Sequence, residues 1–192
     1  MSLIYCRHGR TQWNELGTLQ GTFDSPLTET GKDQARDSGR LAALHAPQLI
    51  YCSELGRARH SAELANLALS VPVLTSPLLN ERCFGALQGL DRTTHPKWWQ
   101  AYTHREQQDC MAIPGSEAAS EVAYRISAFW TEMRQMHGDT RILVVGHGEW
   151  LKIALSLAWG IPPWSGVPPL PDNGQVWRLE EMRGLMPQQQ SA

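Results

Sequence analysis

Three short apolar runs, each closing on polar or glycine residues and two of them leading straight into a helical pattern, constrain this chain more than any other feature. Arg141 to Gly146 reads Arg-Ile-Leu-Val-Val-Gly; Ser2 to Cys6 and Gln48 to Cys52 (Gln-Leu-Ile-Tyr-Cys) repeat the pattern. Runs that are apolar without alternation suit strands buried on both faces, the condition of a parallel sheet. Shorter strands are expected over Val71 to Leu74 and Gln175 to Leu179. Helical patterns lie between. Thr30-Gly31-Lys32-Asp33 reads as a capping box ahead of Gln34 to Leu44. Arg57 to Leu69 is rich in Ala, Leu and Glu. Within Ser116 to Met136, Val122, Ile126, Phe129 and Met133 recur at three- and four-residue spacing, one apolar stripe. Trp150 to Trp159 is nearly all apolar. This alternation predicts an α/β fold: three layers, α/β/α, around a mainly parallel sheet.

At 192 residues the chain is long enough to bury roughly 70% of its unfolded surface. It reads as a single domain over 1–192 with a small insertion at about 90–115. That insertion, Leu90 to Gly115, holds Pro96, Trp98, Trp99 and Tyr102 without a strand pattern and is expected to be a helical cap. Its aromatics suit either an apolar lid over a substrate or ordinary packing of the cap. Ile161 to Gly174 is dense in Pro and Gly and is expected to be loop. Met186 to Ala192 is expected to fray.

Charge narrows the partners. Seventeen basic residues against nineteen acidic ones leave a net −2, without the basic footprint of a nucleic-acid binder or of a protein held on an anionic membrane. No apolar run approaches the roughly 20 residues needed to cross a bilayer. The N-terminal apolar stretch is too short for a signal peptide, so a cytoplasmic location is expected, with Cys6, Cys52, Cys83 and Cys110 as free thiols. Fourteen of the seventeen basic residues are Arg, whose fork suits two-point contact with an anion.

In open α/β sheets ligands collect at the carboxyl ends of the strands. After the first strand stand Arg7 and His8. After the Gln48 strand come Ser53, Arg57 and Arg59. After the strongest strand come His147 and Gly148, and Glu81 follows the Val71 strand. Imidazoles and guanidinium groups with little acid nearby suit a dianionic phosphate. A neutral imidazole at His8 can attack phosphorus and form a covalent intermediate. Arg7, Arg57 and His147 can stabilise the charge spread over the equatorial oxygens. Glu81 can give a proton to the leaving alcohol and take one from water. A nucleophilic His8 must keep one tautomer, so one ring nitrogen should meet a carbonyl or similar acceptor. Competing chemistries lack their signatures. No Cys precedes an Arg at the spacing of a cysteine phosphatase, no D-x-D pair marks an aspartyl-phosphate or magnesium site, and no phosphate loop, H-E-x-x-H or G-x-S-x-G occurs. No metal and no cofactor is expected.

Five blocks, in order along the chain, resemble the histidine phosphatase superfamily in its phosphoglycerate mutase-like branch. Arg7-His8-Gly9-Arg10-Thr11-Gln12-Trp13-Asn14 is similar to R-H-G-E-[TS]-x-W-N. Leu19-Gln20-Gly21, with Asp24-Ser25-Pro26-Leu27-Thr28 and Gly31, is similar to Q-G-x-x-D-S-P-L-T-x-x-G. Ser53 to Glu63 resembles S-x-L-x-R-A-x-Q-T-A-E. Glu81 with Phe84-Gly85 and Gln88-Gly89 resembles E-x-x-F-G-x-x-E-G, and Val145 to Gly148 resembles V-x-H-G. The resemblance implies His8 as phospho-accepting nucleophile, Arg7, Arg57 and His147 as phosphate pocket and Glu81 as proton donor. It implies Asn14, Thr11, Gln20, Gly21, Arg59 and Gly148 as substrate contacts. Three positions depart from the pattern: Arg10, His60 and Gln88 stand where the family carries Glu, Gln and Glu.

The expected activity is hydrolysis of small phosphorylated metabolites by a metal-independent phosphatase, through a phosphohistidine intermediate. A phosphoglycerate mutase would share all five catalytic residues. Gly85-Ala86-Leu87-Gln88-Gly89-Leu90 is similar to the mutase segment G-A-L-Q-G-L; against a mutase, the Leu90 to Gly115 insertion lacks an adjacent Arg pair for the substrate carboxylate, and His104-Arg105 is the nearest approach. A non-enzymatic phospho-ligand binder on the same fold is the remaining alternative. Neither the substrate nor the oligomeric state follows from the sequence.

Overall fold

The computed structural model describes residues 2–166 and 172–178. Its strands are β1 (Ser2–Arg7), β2 (Leu49–Ser53), β3 (Val73–Ser76), β4 (Arg141–Gly146) and β5 (Val176–Arg178). They form one sheet in the order β3-β2-β4-β1-β5. The first four are parallel, and β5 closes the edge antiparallel to β1. The helices are α1 (Gln12–Leu16), α2 (Glu29–Ala43), α3 (Gly56–Asn66), α4 (Pro96–Thr103), α5 (Ala119–His137) and α6 (Gly148–Trp159).

Alternation along the buried strands builds the three layers. Leu3, Tyr5, Leu49, Tyr51, Ile142 and Val144 face α5 and α6, where Val122, Ile126, Phe129, Trp150 and Ile153 complete one core. Ile4, Cys6, Ile50, Cys52, Leu143 and Val145 face the other way, against Ala42 of α2 and Ala62 of α3. The α/β/α architecture and mainly parallel sheet expected from the sequence are therefore present. Among the described residues no helix is long and apolar enough to cross a membrane.

Several boundaries moved. The cap of α2 is Thr28, not Thr30: the Thr28 hydroxyl accepts from the Gly31 N–H at 3.0 Å, and Thr30 lies inside the helix. The hydroxyl must precede the first turn to reach its orphan N–H groups. The capping box occurs instead at α1, a helix the periodicity missed, where Thr11 and Asn14 satisfy each other's backbone N–H. The third strand begins at Val73 rather than Val71. Asn66 pairs with the backbone N–H and carbonyl of Val71, which ties that residue back to the end of α3. The Leu90 to Gly115 insertion carries α4. Trp98, Trp99 and Tyr102 pack against Phe84, Leu87, Met111 and Ile113 in a third apolar cluster. The expected fraying tail, Met186 to Ala192, lies outside the described residues, as do Leu179 and residues 167–171 of the expected loop.

Candidate active site

Strand register places the two central histidines. β1 and β4 are adjacent and parallel, with Arg7 opposite Gly146. The next residue on each strand, His8 and His147, must then emerge side by side. The ring centroids lie 5.2 Å apart, tilted by 56°. A backbone bond from His8 N–H to the Gly146 carbonyl, 3.0 Å, continues the ladder into the loops.

His8 is held in one tautomer. Its Nδ1 lies 2.8 Å from the Gly9 carbonyl oxygen, which can only accept, so Nδ1 carries the proton. Nε2 is then the lone-pair nitrogen, and it accepts from the Arg57 Nε at 3.3 Å. The sequence expectation of a carbonyl partner for His8 is met by the very next residue. Gly9 itself is clamped: its N–H donates to the Ser61 hydroxyl at 3.0 Å, and that hydroxyl donates to the Arg57 carbonyl at 2.7 Å. A Cβ at Gly9 would stand 2.1 Å from the Gly31 carbonyl oxygen, and one at Gly31 would stand 2.0 Å from the Arg10 carbonyl. The β1 loop and the first turn of α2 approach this closely only because both positions lack a side chain.

Arg57 enters from the first turn of α3 and is buried. Its Nη1 donates to the Phe23 carbonyl at 2.7 Å and to Asp24 Oδ1 at 3.0 Å, and Nη2 donates to the Gly21 carbonyl at 2.7 Å. Asp24 also accepts from the Gly56 and Arg57 backbone N–H groups at the start of α3. The loop between α1 and α2 thus fixes the guanidinium from one side. Gln88, one of the departures from the family pattern, holds that loop: its side-chain oxygen accepts from Thr22 at 2.8 Å and from the Phe84 N–H at 3.2 Å.

Glu81 is placed by α6. Its carboxylate accepts from the backbone N–H groups of Arg82 and Trp150, both at 3.0 Å, and of Glu149 at 3.2 Å. The Trp150 indole N–H donates to the Leu78 carbonyl at 2.9 Å, tying the same helix to the segment before Glu81. A carboxylate at the N-terminus of a helix meets its orphan donors and its dipole together.

Electrostatics separate the groups. Burial first, then the guanidinium groups of Arg57 and Arg7, hold the His8 imidazole well below the usual imidazole range. Burial and Arg57 do the same to His147, with His8 and Arg7 adding to it. Both rings are therefore neutral near pH 7. Burial, reinforced by the Glu149 carboxylate, raises the Glu81 carboxyl above the ordinary range, although Arg82, Arg57 and Trp150 pull the other way. Among the described residues, both ring nitrogens of His147 and the Nε of Arg7 are buried without a hydrogen-bond partner. The Arg7 N–H and the one protonated nitrogen of the neutral His147 ring are unpaired buried donors, which suit an anion.

A cavity of about 480 Å³ opens over this floor. Arg7, His8, Asn14, Gln20, Gly21, Arg57, Glu81 and Gly148 line it, and His147 stands fully buried beside His8. Thr11 and Arg59 fall elsewhere. Thr11 is buried as the cap of α1, and Arg59 is on the exposed side of α3. Arg10 is exposed and donates its backbone N–H to Gln34. Of the three cap aromatics that suited either a lid or ordinary packing, Tyr102 reaches the cavity wall; Glu149 and Lys152, which reach the cavity from α6, were missed. The helical spacing of Glu149 and Lys152, three residues apart, was the available signal.

The family model of the histidine phosphatase superfamily (branch 1) matches residues 3–185. The protein named "Probable phosphoglycerate mutase GpmB" from Salmonella paratyphi C is 33% identical over 168 residues, covering 86% of this chain and 78% of that protein. The alpha-ribazole phosphatase from Shigella flexneri superposes with a TM-score of 0.74 at 30% identity, covering 85% of this chain and 82% of its own. Bacillus stearothermophilus YhfR superposes with a TM-score of 0.81 at 29% identity, covering 91% and 88%.

Proposed function

The chain belongs to the histidine phosphatase superfamily, branch 1, and from that premise we propose that it hydrolyses small phosphomonoesters without a metal, through a phosphohistidine at His8. The observation that carries this reading is the fixed lone pair of His8. Nδ1 is committed to the Gly9 carbonyl, and Nε2 faces the cavity floor beside Arg57.

The steps follow from the groups present. A phosphoryl dianion settles between Arg7 and Arg57, with the unpaired ring of His147 as a further donor or contact. Nε2 attacks phosphorus as the P–O bond to the alcohol breaks, in line and with a loose transition state. Glu81, its carboxyl raised by burial, gives its proton to the departing oxygen. The phosphorylated ring is cationic, and its Nδ1–H keeps the Gly9 carbonyl as partner. Water then attacks phosphorus, Glu81 takes the water proton, and the P–N bond returns its electron pair to Nε2. Inorganic phosphate leaves, and both His8 and Glu81 regain their starting protonation.

The mutase reading shares all five catalytic residues and is supported by the name of the Salmonella relative. It requires cations free to receive a substrate carboxylate, and those that reach the outer cavity, Arg105 and Lys152, are both paired with Glu149. Release of phosphate from 4-nitrophenyl phosphate in excess chelator, lost in His8→Ala, tests the hydrolase reading. Chelator-dependent loss, or transfer to phosphoglycerate in preference to water, contradicts it.

A further inference from the structure

The outer half of the cavity is built differently from its floor. Arg105, following α4, sends Nη2 to the Glu149 carboxylate at 3.0 Å and Nη1 to the Tyr102 carbonyl at 3.0 Å. Its guanidinium also lies 4.0 Å over the Tyr102 ring. Lys152 lies 3.3 Å from the same Glu149 oxygen and pairs with Glu106 as well. Two cations therefore face two carboxylates, and this wall carries no net charge. Glu149 stays ionised: burial opposes its charge, but Arg105 and Lys152 outweigh burial and hold its carboxyl below the usual range.

This arrangement decides what can sit beyond the phosphoryl group. Two-point capture of a carboxylate needs parallel N–H groups of one guanidinium fork. The terminal nitrogens of Arg105 already face the Glu149 carboxylate at 3.0 Å, Glu106 at 3.6 Å and the Tyr102 carbonyl, so its fork sits between two carboxylates; among the described residues its buried Nε has no hydrogen-bond partner. An incoming carboxylate would have to displace Glu149, leaving a buried carboxylate beside a second anion. A hydroxyl meets no such conflict, since it can donate to Glu149 and brings no charge. Phe84 and Tyr102 add an apolar, aromatic side to the same cavity.

We propose that the Arg105–Glu149–Lys152 wall selects phosphomonoesters whose alcohol portion is uncharged and carries hydroxyl groups or a ring, and rejects those with a second anionic group. The proposal rests on the hydrolase reading above. Specificity here comes as much from repulsion of the wrong substrate as from contact with the right one.

The test compares matched substrates in the same enzyme. Glycerol 3-phosphate and 3-phosphoglycerate differ by a hydroxymethyl group against a carboxylate; phenyl phosphate and 4-carboxyphenyl phosphate form an aromatic pair. In the wild type kcat/KM favours the uncharged member of each pair by roughly tenfold or more. Glu149→Gln frees the Arg105 fork, and the preference falls to about twofold or reverses. Because each ratio is taken within one variant, any effect of Glu149 on Glu81 cancels. Glu106→Gln, at a half-exposed position on the cap, removes one of the two carboxylates paired with Lys152 and moves the ratio in the same direction by less. A wild type that prefers the carboxylate members, or a ratio that neither variant moves, overturns the proposal while 4-nitrophenyl phosphate is still hydrolysed. Failure to hydrolyse 4-nitrophenyl phosphate as well overturns the hydrolase reading, and this proposal with it.

Discussion

The Glu81 carboxylate accepts the backbone N–H of Trp150 at 3.0 Å, so the candidate acid is held by the same helix that begins directly after His147. One element thus sets the distance between proton donor and phosphate pocket. Burial and Glu149 raise the Glu81 carboxyl, so the protonated form persists to higher pH than for an ordinary glutamate. The His8 ring is held low, so it stays an unprotonated nucleophile on the acid side. Turnover of alkyl phosphates should therefore be highest in mildly acid solution and decline as pH rises through the raised Glu81 value. Glu81→Gln should lower kcat for glycerol 3-phosphate by roughly 10²–10⁴-fold. The loss should be smaller for 4-nitrophenyl phosphate, whose leaving group needs less help from a proton. Equal losses for both substrates would remove Glu81 from the role of acid.

Stability should also depend on pH, with a definite sign. The folded pKa values of His8 and His147 are depressed. Between those values and the unfolded value of ~6.5 the unfolded chain binds more protons. The contribution is whole above about pH 6.5 and is lost progressively as pH falls toward the folded values. Melting temperature should be flat near neutrality and drop below that point, with a shallower drop in His147→Asn. An unchanged slope in that variant would contradict the assignment of a buried neutral ring.

The close approach of Gly9 and Gly31 makes a steric prediction. Gly9→Ala places a methyl against the Gly31 carbonyl, where a Cβ would meet oxygen at 2.1 Å. Backbone atoms on both sides must move, at a cost of about 1–3 kcal/mol. The same shift carries off the Gly9 carbonyl that fixes the His8 tautomer. Urea denaturation and kcat should therefore fall together. Full activity in a destabilised Gly9→Ala would separate the two effects and count against tautomer control.

Asp24 is a positioning residue for Arg57. Its own side chain is 39% exposed, but the Arg57 side chain it pairs with is 1% exposed, so removing the carboxylate leaves a buried guanidinium short of a partner. The carboxylate also orients Nη1 and the first turn of α3. Asp24→Ala should lower the melting temperature, because the start of α3 and the buried Arg57 both lose an acceptor, and kcat/KM for 4-nitrophenyl phosphate should fall by roughly tenfold or more, the scale expected of a misplaced clamp. Asp24→Asn, which keeps one acceptor, should recover part of it.

The sheet and the floor of the site were legible in the sequence for the same reason. Unbroken apolar runs announced the strands, and the residues just past them had to gather at one edge of the sheet. His8 and His147 follow adjacent strands, so their pairing is a consequence of register. Glu81 was less direct, because Pro77 to Leu79 forms a 3-10 turn between β3 and that residue. Helix α1 was invisible to periodicity because it spans only five residues and buries none of them. Of the outer wall only the three-residue spacing of Glu149 and Lys152 was readable. Arg105, Glu149 and Lys152 meet only after the cap folds over α6, a contact between distant segments that no local pattern encodes. Thr11, adjacent to the His8 motif, serves the local backbone as a cap rather than the cavity.

The most direct test of the account is to trap the intermediate. Rapid acid-free quenching during turnover of 4-nitrophenyl phosphate, followed by intact-mass measurement and peptide mapping, should find one phosphoryl group per chain, acid-labile and located on His8, and none in His8→Ala. Steady hydrolysis with no phosphorylated protein, or a phosphoryl group on any other residue, would contradict it.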